Sequence, residues 1–225
     1  NLLDPHKNAT LKRLEVRQPI LTNEDLEKIR YVSELSENHF NTVTLDITFS
    51  NKDTKNDLQI ALNRLCEKAE KKVHEGHNII ILSDRFTNES RIPIPSLLAT
   101  SAVHHYLIKK GLRTSVGLVI ETGEAREVHH FCTLAGYGAE AINPYLAFET
   151  IEQIRISLDE SITKDQSQER FIKAIDKGIM KVMSKMGISA YQSYCGAQIF
   201  DAIGLDQKVI DDYFTGTNSK IGGVS

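Results

Sequence analysis

The chain has 225 residues, 40% of them hydrophobic and 25% charged, with a formal net charge of −3. That length can bury a full core, as one large or two small domains, and the mildly acidic balance leaves no electrostatic footprint for nucleic acid or an anionic membrane. The longest apolar runs, residues 79–82 and 116–120, are far too short to span a bilayer, and no signal peptide is expected of an opening Asn-Leu-Leu-Asp-Pro-His-Lys.

Residues 1–40 are polar and weakly periodic, with Pro5 and Pro19 as punctuation. They read as a connector packed on the domain that follows. Within them, residues 21–30 form a short helix: Thr22 or Asn23 caps it and acids fill its first turn. Residues 42–49 alternate Val43, Leu45, Ile47 and Phe49 with polar neighbours, the period of a half-buried strand. The spacing then predicts a helix over 57–75, striped by Leu58, Ala61, Leu62, Leu65, Cys66, Ala69 and Val73, with Gly76 suited to the left-handed position beyond it. Residues 78–82 are nearly all apolar, as in a strand covered on both faces.

The alternation continues with a helix over 95–110 opened by Pro95, a strand over 115–120, a helix over 124–135 closed by Gly136, a strand over 139–142 and a helix from Pro144. Residues 153–168 are polar and read as a mobile loop. Phe171, Ile172, Ile175, Ile179, Val182, Met183 and Met186 mark an amphipathic helix. A fifth strand is expected over 188–191, and short helical segments over 197–203 and 208–213.

Strand and helix alternating about every 30 residues imply right-handed βαβ units. The fold expected is α/β, with a mainly parallel sheet built from repeated βαβ units, as an open sheet or an incomplete barrel. Periodicity does not choose between those two. Val43, Leu45, Ile80, Ile81, Leu118 and Val119 are the expected core. The organisation is a connector over 1–40, a domain over 41–213, and a tail over 214–225 that starts a linker to a following domain. The absence of an initial Met and the closing Ile-Gly-Gly-Val-Ser225 read as cuts through a longer polypeptide.

Short motifs carry little chemistry. Gly136-Tyr-Gly-Ala-Glu-Ala141 fits G-x-G-x-x-A, but the dinucleotide fingerprint needs a strand before it and a helix after it, and the order here is reversed. The glycines are better read as a helix stop and turn. Ile120-Glu-Thr-Gly-Glu124 opens a helix after a strand, where anions bind. Glu121, Glu124 and Glu127 would repel a phosphate there, and are expected to cap the helix or pair with Arg126. His74/His77, His104/His105 and His129/His130 suggest a metal, yet adjacent helical residues point about 100° apart and no carboxylate or cysteine falls at ligand spacing. Cys66, Cys132 and Cys195 are too widely spaced for a CxxC motif; two of them sit inside apolar helical patterns and read as small buried hydrophobes in a reducing compartment. The loop over 83–91, from Ser83 through Asp84 and Arg85 to Arg91, lies at the carboxyl end of the sheet, where α/β proteins place sites. Asp84 and Arg85 are expected to fasten it to neighbouring strands. The competing possibility is an autonomous α/β enzyme or small-ligand module that uses this loop.

Longer blocks say more. Ile79-Ile-Ile-Leu-Ser-Asp-Arg85, Ile92-Pro-Ile-Pro-Ser-Leu-Leu-Ala99, Gly117-Leu-Val-Ile-Glu-Thr-Gly-Glu-Ala-Arg-Glu-Val-His-His130 and Gly136-Tyr-Gly-Ala-Glu-Ala-Ile-Asn-Pro-Tyr-Leu-Ala147 resemble the central domain of the glutamate synthase large subunit. Gln18-Pro-Ile-Leu-Thr-Asn-Glu-Asp-Leu26 and the block over 181–200 fit as well. The resemblance covers nearly the whole chain, in the family's order.

It implies a segment linking a glutamine amidotransferase domain to an FMN-binding domain, within an enzyme that makes glutamate from glutamine and 2-oxoglutarate with internal passage of ammonia. It implies FMN and an iron–sulfur cluster for the full-length enzyme and none for this segment. The partners implied are the two catalytic domains of the same polypeptide, with ferredoxin or an NADPH-oxidising small subunit as electron source; no nucleic acid or membrane is implied. The location implied is cytoplasmic, or the plastid stroma in a photosynthetic eukaryote. None of the family's catalytic, cofactor or metal residues falls in this segment. Many relatives carry a basic residue where this chain has Cys195. Lys181, Ser184 and Lys185, beside the apolar stripe of the helix over 171–186, are the candidate contacts to a neighbouring domain.

Overall fold

The computed structural model describes residues 14–51, 57–158 and 161–224. The N-terminal part of this region forms α1 (Asn23–Arg30) and α2 (Val32–Leu35). Thr22 caps α1 in a capping box with Asp25, which satisfies two of the amide donors a helix start leaves open. Then follow β1 (Thr42–Asp46), β2 (Thr48–Ser50), α3 (Asp57–His74), β3 (Ile79–Ser83), β4 (Arg91–Pro93), α4 (Ser96–Lys109), β5 (Gly117–Glu121), α5 (Val128–Gly136) and β6 (Ala141–Asn143). The remainder is α6 (Tyr145–Leu158), α7 (Lys164–Lys185), α8 (Tyr191–Tyr194), β7 (Asp201–Leu205), α9 (Gln207–Tyr213) and β8 (Asn218–Val224).

The main sheet is parallel throughout, in the order β1-β3-β5-β6. Side chains alternate across it. Ile80, Leu82, Leu118 and Ile120 face α3, α4 and α5 through Leu62, Leu65, Ala99, Val103, Phe131 and Leu134. Ile79, Ile81 and Val119 face Leu21, Leu26, Ile29 and Val32 on the opposite side. The strands thus add in chain order, with their crossover helices on one face. That is the winding of a barrel arc and not of a doubly wound sheet, whose helices divide between both faces. The inner face of the arc is filled by the N-terminal strap. Residues 19–21 pair with the free edge of β6, with Leu21 N donating to Ile142 O at 2.9 Å and Ile142 N to Pro19 O at 2.7 Å. The strap then crosses beneath the sheet to β1, where Thr42 Oγ1 donates to Ile29 O.

Several elements differ from the sequence reading. The strand over 42–49 is two: Asp46 accepts bonds from the amide and hydroxyl of Thr48, and beyond this turn β2 leaves the main sheet to pair antiparallel with β4. Val43 is only partly buried, because β1 is an edge strand. The third helix begins at Val128 and not at 124, since the Glu124 carboxylate accepts from Ser96 N at 2.7 Å and so caps α4. The polar stretch over 153–168 is mostly helix. Residues to 158 finish α6, and a capping box of Thr163 with Gln166 starts α7 at Lys164. No strand forms over 188–191; Gly187, at φ 71°, ends α7, and the chain turns into α8 to bury Tyr194. The segment over 197–203 is not helical. Gln198 stands at φ 53°, and β7 pairs in parallel with β8, which occupies the tail of the chain. α9 joins these two strands and sets Ile210 and Phe214 against Tyr137.

Two glycines test the packing against pure backbone strain. Gly76 and Gly138 both hold positive φ, 93° and 110°, but a Cβ on Gly76 would meet nothing, whereas one on Gly138 would overlap the His104 ring. Gly76→Ala should cost about 1 kcal/mol, from the left-handed backbone alone. Gly138→Ala should cost about 2–4 kcal/mol, adding overpacking to strain. Urea unfolding of the two variants measures the difference, and equal losses would show that the His104 contact relaxes freely.

Candidate functional site

The carboxyl ends of β1, β3, β5 and β6 carry Asp46, Ser83, Glu121 and Asn143; the loops beyond add Asp84, Arg85 and Thr122, and the start of β4 adds Arg91. This is the edge where parallel sheets place ligands. Glu121, 2% exposed, is its centre. Its Oε2 accepts from Ser83 Oγ at 2.7 Å and Arg30 Nη2 at 3.0 Å, and its Oε1 accepts from Arg85 Nε at 2.7 Å. Burial alone would raise its pKa, but Ser83, Arg85 and Arg30 together outweigh that and hold it below the usual glutamate range. Arg30 also reaches Glu27 and Thr44. Arg85 stacks on the Tyr145 ring at 4.2 Å and approaches Glu149.

Asp84 sits beside this group and is likewise buried. It accepts from Thr122 Oγ1 at 2.6 Å and from the Gly123 amide at 3.0 Å. Burial outweighs these bonds and raises its pKa. Arg91 is held by Asp46 at 2.7 Å and by Thr48. Asn143 Nδ2 donates to Leu21 O and Asn23 Oδ1. Asp84 and Arg85 therefore fasten the loop to β5 and its successor.

The arrangement is poorly suited to catalysis. Ser83 touches a carboxylate, but a glutamate held below its ordinary pKa is a weak base, and neither side chain is open to solvent. The loop from Glu121 to Glu124 offers little to a phosphate: Asp84 takes the Gly123 amide and Thr122 Oγ1 takes the Glu124 amide at 3.0 Å. Glu121 and Glu124 do not pair with Arg126 or cap α5; they serve Arg30, Arg85 and α4.

The rings of His104 and His105 meet edge-to-face at 5.2 Å but bond to different partners. His104 Nδ1 accepts from Arg113 Nε at 2.9 Å, and His105 Nε2 lies 2.6 Å from Gln198 Nε2. Burial, then the charges of Arg113 and His105, push His104 down to about 3, so it is a neutral core residue. Among the described residues, no group of three or more His, Cys, Asp or Glu side chains could hold a metal ion. Burial pushes the thiols of Cys66 and Cys195 up to about 12 and that of Cys132 upward, which suits packing more than metal thiolate chemistry. The G-x-G pair is steric: Gly136 lies against Phe200 and Gly138 against His104.

Lys181, Ser184 and Lys185 are elsewhere, exposed on the outer face of α7. With Lys177, Met180 and Val182 they line a shallow surface hollow. Arg30, Asp46, Thr122, Asn143 and Tyr145 belong to the polar cluster but were not singled out by sequence reasoning. The one available signal for Arg30 was its place in the last turn of an amphipathic helix, where arginine ordinarily faces water.

The Glutamate synthase central domain family model matches residues 1–206. A Schizosaccharomyces pombe glutamate synthase [NADH] is 44% identical over 100% of this chain and 11% of its own length. A Bacillus subtilis glutamate synthase [NADPH] large chain is 44% identical over 100% of this chain and 14% of its own. A Cyanidium caldarium ferredoxin-dependent glutamate synthase is 39% identical over 97% and 15%. The chain thus spans only 11–15% of the length of these relatives. A flavocytochrome b2 mutant with benzoylformate shares the fold at a TM-score of 0.50 and 11% identity, covering 86% of this chain and 45% of that one. Among the described residues no helix is long and apolar enough to cross a membrane.

Glu121→Gln tests the centre of the cluster. At pH 7 it should lower stability by about 3 kcal/mol, because two arginines lose a buried partner. The sign with pH follows from the depressed pKa. Glu121 contributes its stability above the unfolded value, about 4.3, and loses it as pH falls through the folded value. The gap between wild type and variant should therefore close below that pH in urea unfolding. Asp84 has the opposite sign, its pKa being raised, so Asp84→Asn should cost less at pH 7. A constant gap down to pH 3 would show that Glu121 is not the acid-sensitive group.

Proposed function

The chain belongs to the glutamate synthase central-domain family, and on that premise we propose that it is the structural segment linking a glutamine amidotransferase domain to an FMN-binding domain. The whole enzyme on this reading makes glutamate from glutamine and 2-oxoglutarate, with ammonia passed internally. The observation that carries the segment's structural role is that the charged groups at the sheet's carboxyl edge are paired within the domain; among the polar side chains there, Asn143 keeps a buried Oδ1 without a partner. Glu121, Asp84, Arg30, Arg85 and Arg91 are all bonded to one another or to neighbours within the domain. A charged substrate would need charged partners of its own, and those at this edge are already engaged.

The reading places FMN and the iron–sulfur cluster in other parts of the enzyme. Among the described residues Cys66, Cys132 and Cys195 do not gather with other ligands into a group of three or more that could hold a cluster, and the occupied amides of the 122–124 loop do not fit a cofactor phosphate. Ferredoxin or an NADPH-oxidising subunit supplies the electrons, in the cytoplasm or, in a photosynthetic eukaryote, the plastid stroma. Lys181, Ser184 and Lys185 contribute to the junction with a neighbouring domain, where charge-assisted bonds fix orientation.

Two substitutions in the full-length enzyme check this. Cys195→Ser should leave glutamine hydrolysis and glutamate formation unchanged, because a thiol held at about 12 supplies no nucleophile near neutrality. A lost rate with unchanged stability would mean that the segment takes part in the chemistry. Reversing both charges, Lys181→Glu with Lys185→Glu, should release more ammonia per glutamate formed at unchanged thermal stability. Intact coupling would remove the junction from this helix face.

A further inference from the structure

The outer face of α7 carries its cations in one stripe. Arg170, Lys173, Lys177, Lys181 and Lys185 are all exposed, and their spacing confines them to about 120° of the helix circumference. Lys173 pairs with Glu169 at 2.7 Å. Among the described residues, the other four make no ion pair. Elsewhere Lys28 pairs with Glu24, Lys72 with Glu75 and Lys208 with Asp212, each within one turn, while Lys68 of α3 and Lys109 of α4 stand singly without a partner among the described residues. Like charges at i, i+4 work against a helix, and its dipole rewards only Lys185, in the last turn. Ala174 and Ser184 lie among the cations, and Met180 is 52% exposed beside them.

We propose that this face docks on a carboxylate-rich surface of another part of the same polypeptide, with Lys177, Lys181 and Lys185 bonded to its acids and Met180 covered at the seam. The inference rests on the reading above, that this chain is one segment of a larger enzyme. Charge complementarity selects the chemistry of the partner. The small residues permit close approach, and a methionine adapts to an apolar neighbour. No aromatic side chain lies on the stripe to stack a base, and the chain's net charge of −3 gives no long-range pull on a polyanion. Magnitude selects the same polypeptide over a free protein. Exposed ion pairs are individually weak, so a few of them hold a surface only at the high effective concentration that a covalent tether supplies.

The test is contact mapping on the purified full-length enzyme. A zero-length carbodiimide joins a lysine amine to a carboxylate that touches it, and mass spectrometry of the digest locates the links. The expected result is links from Lys177, Lys181 or Lys185 to Asp or Glu residues outside the 225 of this segment. These lysines should also acetylate several-fold more slowly than Lys68, an exposed lysine of α3. Labelling as fast as Lys68 with no such link would overturn the proposal. Links confined to a separate subunit, or protection that appears only on adding acidic lipid vesicles or nucleic acid, would also overturn it. The readout is contact and not turnover, so open lysines beside an enzyme whose coupling still depends on this segment would remove the docking face and leave the linking role standing.

Discussion

One carboxylate, that of Glu121 at the end of β5, joins parts of the molecule that chain connectivity leaves apart. It binds Ser83 at the end of β3, Arg85 in the following loop and Arg30 at the end of α1. The strand that carries it is central in the sheet, and the helix that meets it belongs to the strap beneath. A buried acid of this kind costs several kcal/mol in desolvation and survives only with near-complete pairing. Two guanidinium groups and a hydroxyl supply that pairing. The position of α1 across the inner face is therefore fixed by charge at one end, at Arg30, and by strand pairing at the other, at residues 19–21.

This solution also decides what the sheet can be used for. An arc of parallel strands exposes an apolar inner face, here Ile79, Ile81 and Val119, that a complete barrel would cover with its own opposing strands. The strap covers it instead, and its terminal arginine enters the polar edge where a ligand would otherwise bind. The shared fold with a flavocytochrome b2 mutant is consequently silent about activity: architecture is common to proteins with different sites, and function follows the side chains at the edge. Here those side chains bond inward.

The strands and helices of the arc were legible because burial imposed clean periods. Residues 79–82 are fully apolar since both faces of β3 are covered, and the stripe of α3 from Ala61 to Val73 matches the face that meets the sheet, whereas Leu58 in its first turn is exposed. The misreadings fall where another influence overrode periodicity. Thr163 and Gln166 start α7 by capping, a local signal present in the sequence but masked by the polarity of an exposed first turn. Residues 197–203 look helical in composition, yet Gln198 in the left-handed region and the pairing of β7 with β8 set their course. At the polar edge, Asp84 and Arg85 could be read as loop anchors from their place after a strand. Arg30 could not, because its partner lies 91 residues away and nothing local distinguishes a partly buried, paired cation from a solvated one.

With the inner face covered by the strap and the charges of the carboxyl edge paired, the outside of the helical layer remains as exposed surface. α7 is the longest helix among the described residues, 22 residues, and its inner stripe of Ile172, Ile175, Ile179 and Met183 anchors it firmly. Gly178 lets it approach Val128 of α5 closely, and Phe171 packs edge-on against Phe131 and Phe148. A helix held this tightly presents its outer residues at fixed spacing, which lowers the entropic cost of engaging several of them at once. The contrast within the domain is then physical: Arg30 and Arg85 at the sheet edge meet the buried Glu121 carboxylate and stabilise the fold, whereas the lysines of α7 sit on a rigid face with few acids of their own. Lysine suits that place, since its flexible, well-hydrated amine loses little by waiting in water for a partner.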